Sequence, residues 1–405
     1  MIALLWTMGA LAQATLDGSA PPCNTDKLRF AQRQQYVLYA APGQAPNTYI
    51  GHAAIWLRDA RNNVDHVLEF GAFDKDVQNP AAGLVLGDLS CHWQVRNFKG
   101  EEKFYRRRDR SAGAQRLSLP PAVEQAFVDR VYGIAGRAEE VSAPFHWRTN
   151  SCATTIRDLL DEVTDGQIAA QLQAPAALTP RQEVLRHLAR EPWAWFGWGL
   201  LAGAPVDRAQ TVWQSMFAPA QMATHLPTVT LRWPDGSDRP LVSEECTIHP
   251  NGALDWPAPQ PPNHTPLMWA GGLALGGLLA GLEAAGRRRL AGAGVAMLGF
   301  VLALVGVIDV ALYAFSLLDA YGPNRNWLLT NPLSGVLALL GGAWAIGRAP
   351  AWGAQASAAL AALAALSLPL ALVPVLSQEG HLGYVGAFLP ALVAAAWIGR
   401  RVARS

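Results

Sequence analysis

The C-terminal third of the chain is the part that most restricts its fold. From about residue 263 the sequence is almost continuous Ala, Leu, Gly and Val, and charged residues are confined to short breaks. Five stretches are long enough, or nearly so, to cross a bilayer, which takes about 20 apolar residues. They are residues 267–285, 296–318, 328–346, 356–376 and 382–398. The sequence therefore predicts an all-α bundle of about five transmembrane helices over residues 263–405.

The breaks between these stretches alternate in charge. Arginines cluster in residues 287–289, at Arg348 and in residues 400–404, whereas the opposite breaks carry only Arg325. Because cytoplasmic loops are enriched in Lys and Arg, residues 15–262 are predicted to lie outside the cytoplasm. The short apolar segment 1–14 is typical of a signal peptide, although it lacks a basic start, and the alternative is an uncleaved anchor. Both signals indicate a domain on the outer face of the membrane.

Charge and cysteine content limit the function of residues 15–262. A net charge of +1 argues against nucleic-acid binding, which requires a basic face. The four cysteines include no C-x-x-C pair, so no zinc site is predicted, and neither a metal nor an organic cofactor is implied. Cys23 and Cys246 lie near the two ends of this region and could pair in an oxidising compartment, a question that the sequence leaves open. Cys91 is predicted to be a small buried residue.

Cys152 is the residue that carries the strongest chemical signal. It begins a helix-like segment, with Asn150 and Ser151 as candidate caps. A thiol in the first turn of a helix faces unpaired N–H groups and the positive end of the helix dipole, which favour the thiolate. His52 heads a strand-like run and could be the base that a cysteine nucleophile needs. The pair predicts thiol-mediated acyl chemistry.

The region around His52 predicts an α+β domain. Strands are predicted from residue 35, over residues 51–58 and over residues 65–71, and a helix over residues 121–135. Glu69 and His66 share the strand that follows His52. Three residues apart on a strand they face opposite sides, so only one can orient His52. We favour Glu69, because a carboxylate fixes the imidazole tautomer and stabilises the imidazolium.

Three polar residues near the membrane segments are candidate substrate ligands. Asp309 lies within the second predicted span, where an acid should face the bundle interior. Its alternative role is hydrogen bonding between helices. Asn326 and Asn331 belong to a loop rich in amide side chains, predicted on the outer face. This loop is suited either to hold a polar headgroup or to cap two helices.

Several motifs taken in order resemble a known group of enzymes. Gly51-His52 on a strand, Leu68-Glu69-Phe70-Gly71 and the Asn150-Ser151-Cys152 helix start resemble the permuted papain-like (NlpC-type) group that includes lecithin retinol acyltransferases. More closely, the chain resembles the Lnb-type bacterial lipoprotein N-acyltransferases. Residues 206–219 and 326–333 are also similar to that family, so the resemblance covers residues 36–333.

This resemblance implies a permuted papain-like fold, with Cys152 as nucleophile and His52 as base. Asn150 and Arg157, from the same motif, are further candidate substrate ligands; the N–H donors near the helix start should stabilise the oxyanion, with the Cys152 backbone and Asn150 as candidates. The implied reaction moves an acyl chain from a glycerophospholipid, through a Cys152 thioester, to the α-amine of a diacylglyceryl-modified lipoprotein. The implied location is the bacterial inner membrane, with the catalytic domain in the periplasm. The alternatives are a cysteine hydrolase acting on phospholipid or peptidoglycan, and a lipid-binding membrane protein without catalysis.

Overall fold

The computed structural model describes residues 20–24, 33–73, 79–138, 140, 142–250, 255–373 and 378–404. These residues form two compact units. The first comprises residues up to Arg190 together with Ala209–Pro261, and the second comprises Glu191–Arg208 and the chain from Pro262. Residues 191–208 were included in the predicted outer domain. The predicted signal peptide, residues 1–14, lies outside the described residues.

In the part of the chain that the structure describes, the first unit is built on an antiparallel sheet of seven strands. The strands are β1 (Gln34–Ala40), β2 (His52–Asp59), β3 (Val64–Ala72), β4 (Ser90–Asn97), β5 (Ala112–Leu117), β6 (Ser142–Pro144) and β9 (Val242–His249). Their order across the sheet is β6-β4-β3-β2-β1-β5-β9. β7 (Thr230–Arg232) and β8 (Asp238–Pro240) form a separate hairpin. The predicted strands that contain His52 and Glu69 are thus neighbours in one sheet.

Helices of the first unit lie between and after these strands. They are α1 (Pro80–Leu86), α2 (Phe98–Arg107), α3 (Pro121–Ala135), α4 (Cys152–Val163), α5 (Gln167–Gln171) and α6 (Pro180–His187), with α8 (Val212–Ser215) and α9 (Pro219–His225) further along. The predicted helix over residues 121–135 is confirmed. The coarse α+β expectation is therefore met by an antiparallel sheet with helices.

The sheet buries both faces because its central strands are apolar on both sides. Ile55 and Leu57 of β2 pack with Phe127 of α3 and with Ile156 and Leu160 of α4. The alternate residues of β2, Ala54 and Trp56, pack on the other face with residues of α2, including Phe98 and Tyr105. The Trp56 and Phe98 rings stack with centroids 3.8 Å apart. α4 and α2 are thereby fixed on opposite faces of the same strands.

A disulfide joins Cys23 to Cys246 on β9. Residues 20–24 run beside β9, where the Cys23 amide donates to the Thr247 carbonyl at 2.9 Å. The pairing that the sequence left open is therefore made, and it closes a loop whose ends are 223 residues apart.

Loss of this disulfide should lower stability substantially, because the crosslink restricts the unfolded chain. We expect reduction to lower the free energy of unfolding by about 2–5 kcal/mol. Thermal unfolding of the full chain in detergent, with and without dithiothreitol, measures this. A Cys23→Ser/Cys246→Ser variant is the control, since its midpoint should be low and insensitive to reductant. Equal midpoints for oxidised and reduced wild type would contradict a stabilising role.

Among its described residues, the second unit contains five helices that are long and apolar enough to cross a membrane. They span Thr265–Ala284, Arg288–Phe315, Arg325–Ala345, Gly353–Leu372 and His381–Val402. Each overlaps one of the five predicted stretches, so the prediction of about five membrane-length helices is confirmed, and a multi-pass membrane protein is indicated. The third begins with 3-10 turns before its α-helical part, Gly335–Ala345. A further apolar helix, α7 (Pro192–Leu201), belongs to this unit.

Close packing among these helices depends on small residues. A Cβ added to Gly292 would overlap the backbone of Gly341 and Ala345 in the next span. Lipid is as apolar as the helix surfaces, so the hydrophobic effect does not drive helices together in a membrane. Close van der Waals packing between helix backbones is then a main cause of their association.

Candidate active site

The N-terminus of α4 places Cys152 at the sheet. Ser151 is the N-cap, and its side chain and that of Thr154 form a reciprocal capping box: the Ser151 amide donates to Thr154 Oγ1 at 2.7 Å. Buried Ala153, Ile156 and Leu160 anchor the helix in the core. Capping and burial together hold the start of the helix in place. The partly exposed thiol of Cys152 then accepts hydrogen bonds from the backbone N–H groups of Ala53 and Ala153.

A glycine positions His52 at the start of β2. Gly51 has φ of +93°, in the left-handed region that favours glycine, and a Cβ there would lie 2.9 Å from the Ala40 carbonyl oxygen. The strand partner of His52 is Ala40 on β1. The chain can therefore turn sharply into β2 and deliver the imidazole beside Cys152.

Glu69 lies on the same face of the sheet as His52. Ile55 pairs with Leu68, which puts Glu69 opposite Ala54 and diagonal to His52. His52 Nε2 and Glu69 Oε2 are 2.8 Å apart, and the His52 side chain also hydrogen-bonds to Cys152. His66 pairs with Leu57 and belongs to the opposite face. The structure thus brings Cys152, His52 and Glu69 together.

The charges of these groups stabilise an ion pair. Burial alone would lower the pKa of His52, but the Cys152 thiolate and the Glu69 carboxylate outweigh it and raise the pKa to about 10. Burial would raise the pKa of Cys152, but the positive charge of His52, its hydrogen bond and two backbone N–H groups lower it below the ordinary thiol value. The site therefore favours thiolate and imidazolium over thiol and imidazole, which activates the nucleophile.

Arg96 and Glu101 extend the chain of charges beyond Glu69. Arg96 Nε lies 2.7 Å from Glu69 Oε1, and Arg96 Nη1 lies 3.3 Å from Glu101 Oε1. Burial shifts the pKa of Glu69 upward, but hydrogen bonds and charge from His52, followed by those from Arg96, produce a net lowering. Sequence reasoning missed Arg96. Its place two residues after Gln94, the strand partner of Glu69, becomes visible only once the pairing of β3 and β4 is known.

A cavity of about 650 Å³ opens over these residues. Its polar lining includes the three candidate catalytic side chains and Arg96, Glu101, Tyr105 and Arg110. Its apolar lining comes from Phe70, Phe73, Leu84, Leu89, Phe104 and Phe145. The volume lies within the range typical of small-molecule sites, about 300–1,000 Å³. A reactive thiol thus borders a space with an apolar and a charged part.

Asn150 and Arg157 make hydrogen bonds to the protein itself. Asn150 Nδ2 donates to the Pro144 carbonyl at 2.6 Å. Arg157 is buried, donates from Nη1 to the Trp213 carbonyl at 3.0 Å and stacks on the Trp213 ring. Neither Asn150 nor Arg157 is among the described residues that line the cavity. The contacts of Arg157 tie α4 to α8, which is a positioning role for the nucleophile's helix.

The remaining predicted ligands form a network of their own in the second unit. Asp309 and Asn326 are buried, and Asn324 Nδ2 donates to Asp309 Oδ2 at 2.9 Å. His381 Nδ1 and Asn326 Oδ1 are 2.7 Å apart. Asn331 Nδ2 donates to the Trp327 carbonyl at 3.1 Å. These bonds pair most of the named polar atoms within the unit of apolar helices, where an unpaired polar group is costly.

Comparisons with protein-family models, curated proteins and solved structures found no match. Within the part of the chain that the structure describes, no group of three or more His, Cys, Asp and Glu side chains could hold a metal ion. What the site can do follows from the groups that line it. A thiolate, an imidazolium held by a carboxylate and backbone N–H donors at a helix start together suit nucleophilic attack on a carbonyl carbon.

Proposed function

We propose that this protein is a membrane-bound thiol acyltransferase. Its Cys152 thiolate attacks the ester carbonyl of a glycerophospholipid, and the ester C–O bond breaks. The His52 imidazolium gives its proton to the departing lysophospholipid oxygen, and Glu69 keeps the ring oriented. The acyl chain remains on Cys152 as a thioester. The observation that supports this step is the grouping of Cys152, His52 and Glu69 in one cavity, with His52 Nε2 2.8 Å from Glu69 Oε2.

In the second step we propose that an amine accepts the acyl chain. The neutral α-amine of a diacylglyceryl-modified cysteine at the N-terminus of a lipoprotein attacks the thioester carbonyl. The C–S bond breaks, an amide forms, and Cys152 leaves as the thiolate while His52 takes up the amine proton. The acceptor follows from the resemblance to Lnb-type N-acyltransferases and the permuted papain-like domain that it implies. Five membrane-length helices suit two substrates whose chains stay in lipid.

We propose that the catalytic unit faces the periplasm of a bacterial inner membrane. The arginine-rich breaks between the membrane segments favour this orientation. The Cys23–Cys246 disulfide is a second support, because such bonds persist in oxidising compartments and are rare in the cytosol. The proposed orientation predicts that both substrates are lipids of the outer leaflet.

Intact-mass spectrometry tests the first step. Wild type incubated with phospholipid alone should gain one fatty-acyl mass that hydroxylamine removes, and Cys152→Ser should gain no hydroxylamine-labile mass, because an oxygen ester resists that reagent. Cys91→Ser is the matched control and should behave as wild type: Cys91 lines the same cavity, but burial and then the charge of Cys152 raise the pKa of its thiol to about 11, so it stays protonated. Absence of an adduct on wild type, with the phospholipid intact, would refute the acyltransferase mechanism.

Addition of a diacylated lipopeptide to the acylated enzyme separates the acceptors. An N-acylated peptide is the expected product. Free fatty acid as the only product would identify a hydrolase, the principal alternative, in which water takes the place of the amine.

A further inference from the structure

Arg110 is a buried arginine that lines the cavity beside Cys152. It is 4% exposed, and its Nε and Nη2 donate to the Ala41 carbonyl oxygen at 2.8 and 2.5 Å. Among the described residues it forms no ion pair with a carboxylate. A buried guanidinium without an anionic partner is costly, because desolvation is not offset. Burial accordingly lowers the pKa of Arg110, against the opposing effect of nearby negative charge.

The acidic groups near Arg110 are engaged by other cations. Glu101 lies 3.3 Å from Arg96, and the Cys152 thiolate is paired with His52. Burial raises the pKa of Tyr105 well above its ordinary value, so that phenol is neutral. Among the described residues, His52 and Arg96 each pair with an anionic side chain at this site, whereas Arg110 does not.

The bonds to Ala41 hold the guanidinium in one orientation. Arg110 and Cys152 line the same cavity, and about half of its lining is apolar. A ligand that fills this space needs an anionic group, an acyl carbonyl close to it and a long apolar chain. A glycerophospholipid combines all three, with only a few bonds between its phosphate and its ester carbonyls.

We propose that Arg110 binds the phosphate of the acyl donor and so selects glycerophospholipids over uncharged acylglycerols. A fixed planar guanidinium suits a phosphate, which can accept two parallel N–H bonds. The choice of donor rests on the proposed acyl transfer, but the binding of a phosphate ester beside Cys152 does not. The two are therefore testable separately.

The first experiment measures anion binding through the thiol. The full chain in detergent is alkylated with uncharged iodoacetamide, and Cys152 modification is followed by mass spectrometry with sn-glycerol 3-phosphate or with glycerol. Glycerol 3-phosphate should slow alkylation of wild type several-fold, and glycerol should not. Protection should be lost in Arg110→Met and partly kept in Arg110→Lys, which retains the charge. Arg130→Met, at an exposed arginine of α3, should be protected as wild type is.

The second experiment compares acyl donors. Thioester formation from phosphatidylglycerol is measured against diacylglycerol with the same chains, in the same micelles. Arg110→Met should lower the preference for the phospholipid about 10- to 100-fold, as expected for loss of a hydrogen bond to a charged group, and Arg130→Met should leave it unchanged.

The outcomes separate the two proposals. Equal protection by glycerol and glycerol 3-phosphate, or equal protection of wild type and Arg110→Met, would overturn the role of Arg110, even if the thioester forms. If Arg110→Met lowered thioester formation equally from both donors, the role in phosphate binding would also be overturned. Arg110 would then act by stabilising the Cys152 thiolate. If wild type is protected by glycerol 3-phosphate but acylated by neither donor, the phosphate site stands and the acyl-transfer proposal fails.

Discussion

Replacing His52 with Asn is expected to lower acyl transfer by roughly 10²- to 10⁴-fold, the range of general acid–base contributions. The variant loses both the proton donor and the charge that stabilises the Cys152 thiolate. Burial then remains as the main influence on Cys152 and raises its pKa. At neutral pH most of the nucleophile should become the unreactive thiol.

The rate at which iodoacetamide alkylates Cys152 should depend on pH differently in the two proteins. In wild type the pKa of Cys152 is lowered, so its alkylation by iodoacetamide should hold a plateau as pH falls through the range where ordinary thiols lose reactivity. The rate should drop only when pH falls through the lowered value. In His52→Asn the rate should be low at neutral pH and recover as pH rises. Acyl transfer by wild type should also decline as pH rises through about 10, where His52 loses the proton that it donates.

Cys91 is an internal control for these profiles. It is the other free cysteine among the described residues, and burial, with the charge of Cys152, raises its pKa to about 11. It should stay unmodified where Cys152 reacts fully. Coincident profiles for wild type and His52→Asn would contradict the proposed ion pair.

The second large effect is expected for Glu69→Gln, which keeps the shape of the side chain and removes its charge. We expect a loss of roughly 10²-fold in acyl transfer, at the low end of the same range, because His52 stays in place but its imidazolium is less stable. The pKa of His52 should fall and that of Cys152 should rise, so the acid limb of the alkylation profile should move to higher pH.

His66→Gln is the matched control, since His66 lies three residues earlier on β3 and belongs to the opposite face. Its rate and profile should equal those of wild type. The acyl-transfer rate of Arg96→Gln should lie between those of Glu69→Gln and His66→Gln. This substitution removes the contact to Glu69 Oε1 but leaves the contact of Oε2 with His52. If Glu69→Gln and His66→Gln gave the same profile, Glu69 would have no part in orienting the base.

Local patterns made several features predictable. The five membrane-length helices follow from long apolar runs, because a span is defined by length and hydropathy and needs no distant partner. The start of α4 at Cys152 follows from its capping residues. The opposite orientations of His66 and Glu69 follow from the two-residue period of a strand.

What the tertiary structure alone decided is which distant segments meet. The sheet order puts β4 beside β3 and so brings Arg96 to Glu69, and it brings Arg110, which follows α2, to the cavity. The contacts that occupy Asn150 and Arg157, and the grouping of α7 with the membrane-length helices, likewise join residues far apart in the chain. Residue types and local periodicity specify helices, strands and their faces. Long-range pairing depends on the packing of the whole sheet and bundle, which no single stretch of sequence contains.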